Sequence, residues 1–318
     1  MIEQNHPRNQ HYVPQFLLRG FTDEKEKVFV FDKITERTFP TSTRGIAAEA
    51  QFYDFVDGKG DRQSLEYFLG TMESKVAGIF GAIQEKQSLG HLTRDDRVSI
   101  SLFVAVQQLR VKAVRQRMRS LNSGILTVLA ERGIDPGDVV PEMNDDDVKR
   151  QSIARIQMAN KTAEYFFNKA WILRQAQDAR PFWISDNPVT LHNIVEPSQR
   201  ELNSPGVEIH LPISRRFSIS FLCDKMVQFI RQGVADLKRY ERDFGHAHAG
   251  AKDILHQARV VETGEPDLLL PENVDHQNSL QVQYASRFII SPTNDFRLAQ
   301  EMIKRTPQLK EPPGFTVQ

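Results

Sequence analysis

The chain has 318 residues, in which 41 basic side chains balance 41 acidic ones, and it contains a single cysteine. A net charge of zero excludes a global field that would recruit DNA or an anionic membrane, so any such partner needs a local patch. The lone Cys223 excludes an internal disulfide and is typical of a reducing compartment. No apolar run is long enough to cross a bilayer, and the polar start lacks the apolar segment of a signal peptide. The composition therefore predicts a soluble cytoplasmic protein without a membrane partner.

The first apolar stretch, His11–Phe21, predicts a short helix from about Pro14 to Arg19. Pro14 suits the first helical turn because it needs no backbone donor there, and Gly20 suits the position just past the end. Gln15 and Arg19 are four residues apart and would share one face. The residue ahead of the proline has no side-chain oxygen to cap the first turn. The free N–H groups therefore need another segment, water or an anionic ligand as a partner.

Two glutamates stand out in the next part of the chain. Aromatic and β-branched runs predict strands over 28–33, 35–39 and 51–56, and a three- and four-residue apolar period then predicts a helix over 61–86. Glu66 and Glu73 lie seven residues apart, at the border of the apolar stripe of this helix. Such a pair can line a cleft, although glutamates at this position more often lie on the surface.

A second helix begins near Thr93 and is apolar nearly all round between 98 and 109, which predicts a buried central helix. Gln107 and Arg110 fall where this helix emerges, so each must be paired or face a cavity. Basic residues then recur through 110–119. This stripe is typical of phosphate contact, and it is equally typical of a solvated helix face.

The C-terminal half predicts mainly strands. Strands over 171–174 and 181–184, a hairpin of 207–213 with 217–221, helices within 224–260 and over 271–285, a strand over 287–290 and a helix over 293–305 follow in order. The second strand ends in Ser-Asp-Asn-Pro, where Asp186 can hold an Asx turn. Because ligands gather where strands end, Asp186 is also a candidate site residue.

These motifs resemble an uncharacterised, mainly bacterial family catalogued as domain of unknown function 4238. The opening segment Gln10–Phe21 carries the resemblance most specifically, and the match extends over nearly the whole chain. Further matching positions are Glu66, Glu73, Gln107, Arg110, Ser185 to Pro188, Pro212, Ser214 and Asn278. The turn at 212–214 departs from the family pattern because no proline follows it. The resemblance implies one continuous fold and brings no activity with it.

The scattered polar residues predict an active site assembled from several elements. The candidate catalytic residues are His11, Glu66, Glu73 and Asp186, and the candidate substrate-binding residues are Gln15, Arg19, Gln107, Arg110 and Asn187. Carboxylates suit a divalent cation such as Mg²⁺, with Glu66, Glu73 and Asp186 as its ligands. Water activated by that metal would attack a phosphodiester, with His11 as base or further ligand. The predicted function is therefore a metal-dependent nuclease or phosphohydrolase.

Two alternatives stay open. The basic stripe Arg110–Arg119 would serve a non-catalytic nucleotide- or RNA-binding protein. Under a third hypothesis the motif residues only satisfy buried backbone groups, as caps and turns do.

The predicted fold is a single α+β domain over 1–318, with a helical middle region (60–170) packed on a mostly antiparallel sheet formed from both ends. A strand-rich part (171–305) and a loose tail (306–318) follow the helices. We expect the N-terminal motif to dock on the central helix near Gln107 and Arg110.

Overall fold

The protein has an α+β fold in a computed structural model that describes residues 9–56, 60, 62–135 and 141–311. The helices are α1 (Gln15–Arg19), α2 (Glu66–Lys86), α3 (Arg94–Leu109), α4 (Lys112–Glu131), α5 (Asp145–Gln157), α6 (Ala159–Phe167), α7 (Asp224–Phe244), α8 (Ala251–Thr263), α9 (Pro271–Tyr284) and α10 (Arg297–Arg305). The strands are β1 (Asn9–His11), β2 (Lys27–Asp32), β3 (Arg37–Ser42), β4 (Ala48–Ala50), β5 (Asp54–Val56), β6 (Arg62–Ser64), β7 (Ala170–Gln175), β8 (Ile184–Ser185), β9 (Thr190–Asn193), β10 (Val207–Pro212), β11 (Phe217–Leu222), β12 (Pro266–Leu268) and β13 (Phe288–Ser291).

The strands form two main sheets rather than the one that the sequence predicts. The larger sheet has the order β12-β7-β11-β10-β9, and its pairs are antiparallel except for β12 beside β7. The predicted hairpin is present, with Leu211 opposite Ile219. Among the described strands, only the smaller sheet, β3-β2-β13-β8, joins the two ends of the chain as expected. The larger sheet comes from the C-terminal half alone, because the strands that flank the β10–β11 hairpin, β7 and β9, are close to it in the sequence.

Helix α3 is the buried central helix that its apolar pattern predicts. Ile100, Phe103 and Val104 are inaccessible to solvent, and α3 packs against α2 and α6. Thr93 caps its start: the hydroxyl accepts from the Asp96 N–H at 3.1 Å, and the Asp96 carboxylate accepts from the Thr93 N–H at 2.9 Å. This capping box satisfies donors that the first turn leaves unpaired.

The N-terminal motif docks on α3, as the sequence predicts. Helix α1 starts after Pro14 and ends at Gly20. The Phe16 ring lies 5.4 Å from the ring of Phe103, centroid to centroid. Burial of aromatic rings against each other fixes α1 on α3 and brings its polar residues to the end of that helix.

The largest differences from the predicted elements lie at helix boundaries. Residues 145–167 form two consecutive helices, with Met158 at the end of α5 and at the start of α6. Residues 306–311 are packed rather than loose, since Leu309 contacts the cluster around Phe31 and the Lys33 ammonium donates to the Glu311 carbonyl at 3.3 Å; positions 312–318 lie outside the described residues. In the described ranges, no helix combines the length and the apolar character needed to span a membrane.

Candidate functional site

Seven of the predicted site residues meet where α1 reaches α2 and the end of α3. We call this group the α1–α3 cluster, and its members are His11, Gln15, Arg19, Glu66, Glu73, Gln107 and Arg110. Hydrogen bonds and electrostatic interactions connect all seven.

Arg110 is the buried centre of the α1–α3 cluster, with 1% of its surface exposed. Its Nε donates to Gln107 Oε1 at 2.7 Å, and its Nη1 donates to Glu73 Oε1 at 2.6 Å. Gln107 in turn donates to the Tyr12 carbonyl at 2.9 Å, which ties the N-terminal motif to α3. Burial is the largest influence and opposes the guanidinium charge, but Glu73, Tyr53 and Glu66 together raise the pKa of Arg110. Among the described residues, nothing hydrogen-bonds to Nη2.

Glu66 is the carboxylic acid of the cluster whose ionised form is disfavoured by its surroundings. Burial first, and then the neighbouring Glu73 carboxylate, raise its pKa to about 7, while the Arg110 guanidinium opposes the rise. The side chain is half-buried, and within the described chain its carboxyl group makes no hydrogen bond. A carboxyl group that titrates near neutral pH and is still reachable from solvent suits proton transfer.

A short relay of side chains leads from His11 to the surface. Arg19 Nη2 donates to Gln15 Oε1 at 3.3 Å, and Gln15 Nε2 lies 2.9 Å from His11 Nε2. Because arginine has only donors, the oxygen of Gln15 faces Arg19 and its amino group faces the imidazole. His11 Nε2 is therefore an acceptor, and the neutral ring carries its proton on Nδ1. Burial and then the Arg110 charge lower the pKa of His11, which agrees with a neutral ring, although backbone groups nearby partly oppose the shift.

Asp186 lies outside the α1–α3 cluster, contrary to the expected convergence. Its carboxylate accepts the backbone N–H groups of Ser286 at 2.8 Å, Arg287 at 2.9 Å and Phe288 at 3.1 Å. Burial raises its pKa to about 6 in spite of these three bonds. Asp186 therefore holds the turn between α9 and β13, which is the structural alternative that an Asx-type residue offers.

Asn187 also serves this turn region. Its Nδ2 donates to the Tyr284 carbonyl at 3.0 Å, and the preceding motif residue Ser185 donates to Gln281 Oε1 at 2.8 Å. The Ser-Asp-Asn-Pro segment thus fastens β8 to α9 through buried polar contacts.

The three carboxylates expected to bind a cation do not come together. Glu66 and Glu73 are electrostatic neighbours, whereas Asp186 is engaged by the backbone of another sheet. No three histidine, cysteine, aspartate or glutamate side chains in the described ranges are grouped as metal ligands. A metal held by all three carboxylates is therefore not supported by this arrangement.

The basic stripe on α4 is engaged within the protein and is not an open phosphate-binding face. Arg115 donates to the Phe52 carbonyl at 2.7 Å and to Ser152 Oγ at 3.1 Å. Arg119 pairs with Asp145 at 2.7 Å. Lys112 pairs with Glu49, and Arg110 is the buried residue described above. These internal partners leave little of the stripe for nucleic acid.

Two further residues, Tyr53 and Gln10, support the cluster although neither was a predicted site residue. Tyr53 donates its hydroxyl hydrogen to the His11 carbonyl at 3.1 Å, and its backbone N–H donates to Gln10 Oε1 at 2.6 Å. Gln10 is fully buried and also donates to Asp54 at 2.7 Å. Gln10 stands directly before the apolar motif, and this position was the available signal for it. A glutamine is usually exposed, so its residue type alone did not indicate burial.

The fold and the site define an α+β protein in which a buried arginine, Arg110, pairs with Glu73. The partly exposed side chains of Glu66 and His11 lie beside this pair. A comparison with protein-family models matches residues 9–295 to the family described as "Protein of unknown function (DUF4238)". The chain belongs to this family, which confirms the resemblance found in the sequence. Searches of curated proteins and of solved structures gave no match.

Proposed function

We propose that this chain is a hydrolase that uses acid–base chemistry at the α1–α3 cluster, with a phosphodiester as the bond it cleaves. The observation that carries the proposal is the half-buried Glu66 carboxyl, which lies beside the Arg110–Glu73 pair and makes no hydrogen bond within the described residues. Glu66 begins α2, where the helix dipole favours a carboxylate, and its half-buried position beside a second carboxylate is the environment that a proton-transfer group needs.

The proposed roles follow from accessibility. Glu66 takes a proton from the attacking water, since its pKa near 7 leaves a working fraction of base at neutral pH. The water oxygen bonds to phosphorus, the bond from phosphorus to the leaving oxygen breaks, and solvent protonates the alkoxide that departs. Arg110 is too buried to touch a substrate and acts as a positioning residue for Glu73. Arg19 is exposed and supplies a planar donor for a phosphate oxygen.

A divalent cation would have Glu66 and Glu73 as its ligands in this chain. Two carboxylates and substrate oxygens are a usual environment for Mg²⁺. Here, however, the Arg110 guanidinium already neutralises Glu73 at 2.6 Å and competes with a cation for the same oxygen. The arrangement supports proton transfer by Glu66 more directly than metal activation of water.

The test is hydrolysis of bis(4-nitrophenyl) phosphate by the purified chain, with Mg²⁺ and with EDTA. We expect Glu66→Gln to lower the rate about 10²- to 10⁴-fold, the usual contribution of a general base. Glu85→Gln, at an exposed position of the same helix α2, is the matched control and should keep the rate. Equal rates for the two variants, or no hydrolysis by the wild type, would overturn the proposal, while loss of activity in EDTA would restore the metal-dependent mechanism.

Nucleotide or RNA binding without turnover is the other function to consider. Its support is weaker because the α4 arginines and Lys112 have internal partners. A salt-dependent affinity for an oligonucleotide, lost in Arg115→Ala with Arg117→Ala, would favour it. We also propose a cytoplasmic location, which the buried, unpaired Cys223 supports.

A further inference from the structure

Three arginines surround one groove at the C-terminal end of α1. We call it the arginine groove: it measures about 320 Å³, and its lining includes Arg19, Gly20, Gln84, Arg215, Arg216 and Phe217. No carboxylate is among these lining residues. The groove lies between α1, α2 and the turn that joins β10 to β11.

The backbone holds the two basic segments of the groove in a fixed relation. The Arg215 N–H donates to the Gly20 carbonyl at 2.8 Å, and the Arg215 carbonyl accepts from the Phe182 N–H at 2.9 Å. A Cβ atom on Gly20 would lie 2.7 Å from the Ile213 carbonyl oxygen, so only glycine permits this approach. The backbone of the two segments is thus held together, and the Arg19 guanidinium is also bonded to Gln15 Oε1.

The charges of the groove have little compensation from the described protein. The Arg215 side chain is exposed, and it has no hydrogen-bond or ion-pair partner in the described ranges. Arg216 has one distant carboxylate neighbour in the described ranges, that of Asp178, which lies 3.8 Å from Nε and is 86% exposed. Arg216 Nε is buried and makes no hydrogen bond with a described residue. Like charges held around one groove repel each other, and an anion between them removes that repulsion.

We propose that the arginine groove binds the phosphoryl groups of a small ligand. Guanidinium groups match the geometry of phosphate oxygens with two parallel N–H donors, and they are less strongly hydrated than an ammonium group. Arg19 belongs both to the groove and to the relay that reaches His11. The groove is then the phosphate subsite of the proposed hydrolase reaction, and this assignment rests on the proposed function.

The experiment is isothermal titration calorimetry with inorganic pyrophosphate at low ionic strength. Using Glu66→Gln as the parent protein keeps the probe from turnover, so that binding is measured apart from hydrolysis. We expect one site per chain, an affinity at least tenfold weaker with Arg215→Gln, and a further loss with Arg215→Gln and Arg216→Gln together. Arg305→Gln, at a position 82% exposed on α10, is the control and should leave the affinity unchanged.

The proposal fails if the parent protein does not bind pyrophosphate, or if the double variant binds it as tightly as the parent. Arg216 lies over the Phe217 ring at 5.6 Å, so the double variant is checked by its thermal unfolding midpoint. If it does not fold, Arg19→Gln and Arg215→Gln decide the question, since both side chains are exposed. Pyrophosphate binding without phosphodiester hydrolysis by the wild type would reject the hydrolase proposal and support the phosphate site in the groove. Phosphodiester hydrolysis without pyrophosphate binding would reject the site in the groove and support the hydrolase proposal.

Discussion

The Arg110 guanidinium at the end of α3 and the Glu73 carboxylate on α2 form an ion pair, with Nη1 and Oε1 2.6 Å apart. The side chain of Arg110 is fully shielded from solvent, whereas that of Glu73 keeps 24% of its surface exposed. The pair therefore lies at the boundary between the core and the half-open group formed by Glu66 and His11. It links the stability of the helices to the electrostatics of the candidate site.

Removing the buried member of this pair should destabilise the fold strongly. We expect Arg110→Ala to lower the free energy of unfolding by about 3–5 kcal/mol, because it leaves a carboxylate without its buried partner. Arg119→Ala breaks an exposed pair with Asp145 and should cost less than about 1 kcal/mol. Urea unfolding of both variants makes the comparison, and similar losses would contradict a special role for the buried pair.

The pKa of Glu66 should depend on Glu73. Burial and the neighbouring carboxylate raise the pKa of Glu66 to about 7. Glu73→Gln removes the like charge and should lower the pKa of Glu66, a change that carbon-detected NMR titration measures. Glu85→Gln is the control on the same helix and should leave it in place. An unchanged value in Glu73→Gln would show that burial alone sets the titration.

His210 should make the protein less stable in acid. Its ring is buried in the larger sheet, with Nδ1 2.8 Å from Ser220 Oγ and Nε2 3.5 Å from the Glu208 carboxylate. Burial first, followed by the charges of Arg174, His276 and His192, lowers the pKa of His210 well below 6.5. Below about pH 6.5 the His210 ring therefore binds a proton in the unfolded chain but stays neutral in the folded chain. The free energy of unfolding consequently decreases as the pH falls through that value.

The measurement is the free energy of unfolding of the wild type and of His210→Gln between pH 8 and pH 4.5. The free energy of unfolding of the wild type relative to that of His210→Gln should be constant above about pH 7. Below pH 6.5 this difference should decrease by at most about 1.4 kcal/mol per pH unit. His246→Gln alters an exposed ring and serves as the control. A difference between the wild type and His210→Gln that does not vary with pH would refute the assignment.

Adding one methyl group should have opposite effects at two glycines. Gly20→Ala places a Cβ atom 2.7 Å from the Ile213 carbonyl oxygen and should lower the free energy of unfolding by about 1–3 kcal/mol. Gly78→Ala lies in the exposed face of α2 with nothing within 4 Å and should raise it by about 0.5–1 kcal/mol. Thermal or urea unfolding measures both. A loss at Gly78 equal to that at Gly20 would mean that the close approach of α1 to the turn is unimportant.

Periodicity identified the elements whose signal is local. The all-round apolar pattern of α3, its start near Thr93, the short helix before Gly20 and the hairpin of β10 with β11 were confirmed. The docking of the N-terminal motif near Gln107 was confirmed as well. Short strands such as β9 and β12 were missed because three or four residues carry too little pattern to stand out.

The sequence by itself determined the α+β class and the central position of α3, because these depend on hydrophobic spacing along the chain, and its motif residues carried the resemblance to the family. It also supplied His11, Glu66, Glu73 and Arg110 as candidates. Only the tertiary structure decided that these four meet and that Asp186 is engaged by backbone N–H groups elsewhere. Residue type fixes what a side chain can bond to, but packing decides which partner it meets, and partners about a hundred residues apart leave no periodic signal.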